Sequence, residues 1–183
     1  MSEAPHNLVQ AARKNDLSAW DQLLRGYQLP LFAYARGLTG DREAALDIVQ
    51  ESFSRAVAHI EGLRDDARFG SWLFAIAHQR CVRHLRRAGR PFESGRDGEG
   101  QPEPQDDGPD PRGALLSAER ARDLYGLVDR LPPAQRSALL LHVVGDFPIS
   151  EIAEVAGVPP GTVKSRLHHA KRALRALVER EAP

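Results

Sequence analysis

Apolar residues recur at spacings of three and four through most of this chain, and that period predicts helices rather than strands. Trp20, Leu23, Leu24 and Tyr27 share one face of a first helix, which Asp16 or Ser18 can cap and which Pro30 is expected to end. Leu31, Phe32, Tyr34, Ala35 and Leu38 continue the pattern up to Gly40-Asp41. From Arg42 to Ile60, a core face of Ile48, Val49, Phe53, Ala56, Val57 and Ile60 is predicted, leaving Asp47, Gln50 and Glu51 outside. After a loop over 62–70, Ser71 is placed to cap a helix from Trp72 to about Arg87 that packs Trp72, Leu73, Ile76, Ala77 and Leu85.

The period fails over 91–113, where five prolines, five glycines and seven acidic residues stand without a single aliphatic side chain. Such a segment cannot bury enough surface to fold alone and reads as an extended tether between two domains. Periodicity resumes with Leu115, Leu116, Ala118, Ala121, Leu124, Leu127 and Val128. Leu131-Pro132-Pro133 ends one helix and starts another, carrying Leu139, Leu140, Leu141, Val143 and Val144 to Gly145. The predicted division is therefore 1–90, a tether over 91–114, and 115–183, in an all-α fold.

One stretch, 149–167, carries more information than any other. Ile152, Ala153 and Val155 give a short helix an apolar side, and Gly157 can take the positive φ that closes it. Pro159 and Pro160 cannot extend that helix, yet proline is tolerated in the first turn of the next. A small residue, a turn glycine and an apolar plug (Ala153, Gly157, Val163) have the spacing of a DNA-binding helix-turn-helix. At about 100° per residue, Val163, Leu167, Ala170, Leu174, Leu177 and Val178 form one apolar arc. Lys164, Ser165, His168, His169, Lys171, Arg172 and Arg175 lie opposite, a basic and hydroxylic face suited to phosphates and base edges.

Charge modifies this picture. The chain is neutral overall, but residues 1–90 carry 13 Lys/Arg against 10 Asp/Glu, 91–118 carry 2 against 7, and 119–183 carry 10 against 8. Two weakly basic domains flank an acidic tether. So little net positive charge predicts weak intrinsic DNA affinity, because affinity scales with the phosphates neutralised. The protein is expected to bind DNA with help. No apolar run approaches the ~20 residues of a membrane span, the N-terminal residues lack a signal-peptide pattern, and one cysteine forms no intramolecular disulfide. A cytoplasmic location without membrane insertion is the expectation.

Candidate chemistry beyond DNA binding is sparse. His78, Cys81 and His84 stand at i, i+3 and i+6 but lack a fourth ligand, and Cys81 reads better as a small core thiol. There is no glycine-rich phosphate loop, nucleophile motif or cofactor motif, so an enzyme is disfavoured. Trp72 and the cluster Arg80, Arg83, Arg86, Arg87 and Arg90 suit a surface that stacks unpaired bases and grips a backbone. A core tryptophan followed by a solvated basic helix end fits the same residues. A stand-alone regulator with this helix-turn-helix would leave the acidic face and the basic helix unexplained.

Taken together, these pieces resemble a bacterial extracytoplasmic-function sigma factor of RNA polymerase over nearly the whole chain. The resemblance rests on residues 47–56 (DIVQESFSRA), 72–77 (WLFAIA), 131–136 (LPPAQR), 151–154 (EIAE) and above all 161–167 (GTVKSRL). It implies an N-terminal domain that docks on the clamp helices of the polymerase β′ subunit through Asp47, Gln50 and Glu51. The same domain would capture the melted −10 element with Trp72, Gln79, Arg80, Arg83, Arg86 and Arg87. It implies a C-terminal domain on the β flap that reads the −35 element with Thr162, Lys164, Ser165, Arg166, His169 and Arg172. Members are commonly held by an anti-sigma factor, so such a partner is expected alongside core polymerase and promoter DNA. Gln79 stands where many members have asparagine, Arg83 where many have aspartate, and His169 replaces a common arginine.

Overall fold

The computed structural model describes residues 6–90, 92 and 126–181, and every regular element among them is helical. Helix α1 is His6–Arg13, α2 Leu17–Thr39, α3 Arg42–His59 and α4 Phe69–Arg87, with two 3-10 turns at Ile60–Gly62 and Asp66–Arg68 between α3 and α4. After a helical stretch at 126–129 come α5, Pro133–Val143; α6, Ile149–Ala156; and α7, Pro160–Glu181. The acidic stretch and the apolar positions 115–124 lie outside the described residues.

The helix ends follow local chemistry. The Asp16 carboxylate accepts from the backbone N–H of Ser18 and Ala19 at 2.8 and 3.3 Å, and Asp41 does the same for Glu43 and Ala44. Gly40 closes α2 at φ 73°, and its N–H donates to the Arg36 carbonyl. Pro133 opens α5 at its first position.

Three expectations are corrected. Pro30 does not end its helix: α2 runs through it to Thr39. Leu23 and Tyr27 before the proline, and Leu31, Tyr34, Ala35 and Leu38 after it, are all buried. Keeping them in one register outweighs the roughly 3 kcal/mol that an internal proline costs. Ser71 is not a cap, because α4 starts earlier at Phe69; Ser71 lies inside the first turn and its hydroxyl donates to the Arg68 carbonyl. Phe69 is fully buried against Trp20 and Tyr27, which draws the helix start back toward it. Val57 is half exposed, since Ala45, Ile48, Phe53 and Ala56 already fill the inner face of α3. Helix α1, which the pattern did not single out, is tied down by Val9 and Ala12 in the core and by Arg13, whose guanidinium bonds Asp66 at 2.8 Å.

The two halves share one apolar core. Helix α2 packs on α5, and α4 packs on α6. Phe147, in the α5–α6 connection, meets Phe74 of α4 edge to face at 5.1 Å. Gly145 makes that connection possible, because a Cβ there would lie 2.5 Å from the Phe147 ring and 2.6 Å from the Leu141 carbonyl oxygen.

Candidate nucleic-acid and polymerase surfaces

The helix-turn-helix forms as its spacing requires. Gly157 takes φ 65° and caps α6 with its N–H, Val158 is buried behind it, and Pro160 begins α7. Ala153 and Val163 are buried where the two helices meet. Thr162 sits in the first turn of α7, its N–H bonded to the Pro159 carbonyl at 3.0 Å. The apolar arc is buried at Val163, Leu167 and Ala170, half-buried at Leu174 and Leu177, and exposed at Val178, so α7 outruns the core at its far end.

On the outer face of α7, Lys164, His168 and Arg172 are exposed while Thr162, Ser165 and His169 are half-buried. Arg166 is different: only 2% of it is exposed. On the helical wheel it lies about 60° from Val163, at the flank of the buried stripe. Sequence reasoning grouped it with the DNA-facing residues by motif, although its angle separates it from Ser165 and Arg172. His168, exposed beside His169 with ring centroids 5.8 Å apart, belongs to that outer face equally.

On α4, Gln79, Arg83, Arg86 and Arg87 are exposed, and Trp72 is half-buried against Phe69. Arg80 is turned away from them. Its side chain is 10% exposed and pairs with the Glu51 carboxylate of α3 at 2.7 Å. Asp47, Gln50 and Glu51 all reach the surface of α3, where Glu51 also lies 3.6 Å from Arg55. A groove of about 650 Å³ runs between α4 and α6, with Gln79, Arg83, Arg86 and Arg87 on one wall and Val155 and Gly157 on the other. A second groove, on the Trp72 side, also has Glu154 and Val155 as its far wall.

Beneath these grooves lies a buried polar cluster. The Tyr34 hydroxyl is 2.7 Å from Nδ1 of His78 and 3.0 Å from the Ser137 hydroxyl, which is itself 3.3 Å from His78 Nδ1. Burial, and then the positive charge of Arg166, pushes the His78 imidazolium down to a pKa of about 4, so the ring is neutral. Burial likewise raises the Tyr34 phenol and the Cys81 thiol. Cys81 is a fully buried free thiol, and among the described residues no three His, Cys, Asp or Glu side chains converge as a metal site. Nearby, Arg136 bonds the Asp129 carboxylate at 3.0 Å, the Leu131 carbonyl at 3.0 Å and the Leu38 carbonyl at 3.4 Å, joining α5 to the end of α2.

Comparison with known proteins agrees with this geometry. Residues 23–91 match the model of sigma-70 region 2, and residues 121–174 match that of sigma-70 region 4. The chain is 35% identical over 151 residues to the ECF RNA polymerase sigma factor SigL of Mycobacterium tuberculosis, covering 81% of this chain and 82% of that one. It belongs to the ECF sigma factors. The likeness to SigW of Bacillus subtilis is 25% over 173 residues, covering 91% of this chain and 92% of its relative. The same fold occurs in CnrH, solved in complex with the cytosolic domain of CnrY, at TM-score 0.71 and 22% identity over 98% of this chain and 99% of that one. It occurs also in RpoE of Bartonella quintana, solved with the anti-sigma factor NepR, at TM-score 0.68 and 23% identity over 91% of this chain and 100% of that one. The sigma factor described here thus directs promoter-specific transcription initiation; the region 2 match runs from within α2 past the end of α4, and the region 4 match takes in α5, α6 and most of α7. No helix among the described residues is long and apolar enough to cross a membrane.

Proposed function

We propose that this sigma factor divides its work by residue as follows. Region 4 reads the −35 duplex with the outer face of α7, where Lys164 and the first-turn Thr162 hold phosphates and Ser165, His169 and Arg172 face base edges or backbone, with Arg166 at their flank. Region 2 captures the opened −10 strand along α4, Trp72 stacking on a base while Gln79, Arg83, Arg86 and Arg87 grip bases and backbone. Arg80 supports that surface through its pair with Glu51. Asp47, Gln50 and Glu51 dock on the β′ clamp helices, and region 4 rests on the β flap. The factor works without catalysis of its own, in the cytoplasm, and an anti-sigma factor restrains it, as the complexes of CnrH and RpoE suggest.

The observation that carries this reading is the arrangement of α7: an apolar stripe buried in its own domain, backed by a polar face whose Lys164, His168 and Arg172 stand in solvent. Competition with another sigma factor for core polymerase, followed by footprinting of the reconstituted holoenzyme on promoter DNA, tests it. Glu51→Lys is expected to lose the competition. Lys164→Ala is expected to keep it while losing protection upstream. Loss of DNA protection without any loss of competition in Glu51→Lys would overturn the assignment.

A further inference from the structure

Helix α1 lies outside the stretch that matches sigma-70 region 2, which begins at residue 23, yet it is built into the same domain. Its Val9 and Ala12 are buried in the core, and Arg13 at its end reaches across to the connection between α3 and α4. That connection consists of two single 3-10 turns with Leu63, Arg64 and Asp65 between them. Such turns have poor hydrogen-bond geometry, so the shape of 60–68 depends on ties from outside it.

Arg13 supplies them. Its guanidinium donates to the Asp66 carboxylate at 2.8 and 3.2 Å and to the Leu63 carbonyl, and it lies 3.5 Å from the Glu61 carbonyl oxygen. A planar fork of five donors lets one side chain hold positions 61, 63 and 66 together, which an ammonium on a flexible stem does less well. Asp66 is only 9% exposed, and its second oxygen lies 3.2 Å from Nδ1 of His6, also on α1. A carboxylate so nearly buried needs these partners.

The connection delivers the start of α4. Asp66 opens the second 3-10 turn, which runs straight into α4 at Phe69. Phe69 is fully buried against Trp20, ring centroids 6.3 Å apart, and Trp72 leans on Phe69 at 6.0 Å. Trp20 in turn donates from Nε1 to the Ala12 carbonyl of α1 at 3.1 Å. Two routes therefore lead from α1 to Trp72, one from Arg13 through the backbone of the connection and one from Ala12 through two aromatic rings. Asp47, Gln50 and Glu51 on the surface of α3 stand on neither.

We infer that Arg13 is a positioning residue for capture of the opened strand: from α1 it splints the α3–α4 connection, so that Trp72 is presented in one orientation. This rests on the reading of α4 as the −10 surface and is tested so that the two can fail separately. Core polymerase is loaded with wild type, Arg13→Ala or Arg13→Lys, with helix content checked by circular dichroism. Competition with another sigma factor for the core is measured beside affinity for a single strand spanning the −10 element of a promoter mapped by run-off transcription. Arg13→Ala is expected to hold the strand about tenfold more weakly, the size of one lost charge-assisted hydrogen bond, with competition unchanged. Arg13→Lys keeps the charge beside Asp66 without the fork, so it should recover part of that loss, and it carries the test should Arg13→Ala fail to fold. Strand affinity equal to wild type in the folded variants would overturn the role. So would strand affinity and core competition falling in step, as a generally loosened domain would give. A wild-type holoenzyme that does not hold the strand contradicts the assignment of α4 itself, a failure read from the wild-type arm alone.

Discussion

Tyr34 and Ser137, 103 positions apart in the chain, share a buried hydrogen bond of 3.0 Å that ties region 2 to region 4. Ser137 also lies 3.3 Å from His78 Nδ1, so it supplies the polar part of a contact that is otherwise apolar, as where Phe74 meets Phe147.

Removing one hydroxyl from the cluster should be felt as stability. Tyr34→Phe leaves Ser137 and His78 within 3.3 Å of each other, so the loss is that of a shared hydrogen bond, about 1 kcal/mol. Urea unfolding of the full chain should show it as a lower midpoint. A midpoint equal to wild type would mean that the cluster contributes nothing net.

Acid should loosen the same site. His78 has its pKa lowered from 6.5 to about 4, with Tyr34, Ser137, Phe92 and the Arg166 charge around it. Its folded pKa is depressed and the neutral ring is the native form. The contribution is therefore complete above about pH 6.5 and declines as pH falls toward 4, by about 3 kcal/mol in all at 1.36 kcal/mol per unit. Unfolding midpoints between pH 7.5 and 4 (roughly the range of interest) should fall more steeply for wild type than for His78→Gln. Parallel curves would show that another group governs the acid limb.

Two glycines should respond oppositely to alanine. At Gly145 the new Cβ would overlap the Phe147 ring and the Leu141 carbonyl, so Gly145→Ala should cost about 2 kcal/mol or more. At Gly161, in the first turn of α7, nothing lies within 4 Å, and Gly161→Ala should stabilise by about 0.5 kcal/mol through the unfolded chain. Thermal unfolding of both variants distinguishes the two.

Lys164 and Arg166 should also separate. Lys164 is exposed on the outer face of α7, so Lys164→Ala should weaken duplex binding by the holoenzyme and lower its salt slope by about 1 without affecting stability. Arg166 is buried beside His78, so Arg166→Ala should lower the unfolding midpoint whatever it does to DNA binding. An Arg166→Ala protein of wild-type stability would move this residue from the packing to the reading surface.

What the sequence disclosed, and what it did not, follows from the range over which each signal acts. The helix-turn-helix was legible because Gly157, Pro160 and the plug Val163 act on their immediate neighbours, and caps such as Asp16 and Asp41 do likewise. Pro30 misled because its local penalty is smaller than the gain from burying Leu23, Tyr27, Leu31 and Tyr34 in one register. Arg166 illustrates a different limit. Its angle put it between the apolar and polar faces, and its 2% exposure places it on the buried side. The docking of α4 on α6 joins residues such as Arg68 and Glu154, 86 positions apart, and no period within either helix encodes that meeting.

The central claim is that this chain turns core polymerase into a promoter-specific enzyme. Run-off transcription on genomic fragments, with purified core polymerase and the full chain, tests it most directly. Discrete start sites that share upstream sequences near −10 and −35, and that disappear with Glu51→Lys, are the expected result. Initiation no different from core polymerase alone, or start sites indifferent to both upstream elements, would contradict it.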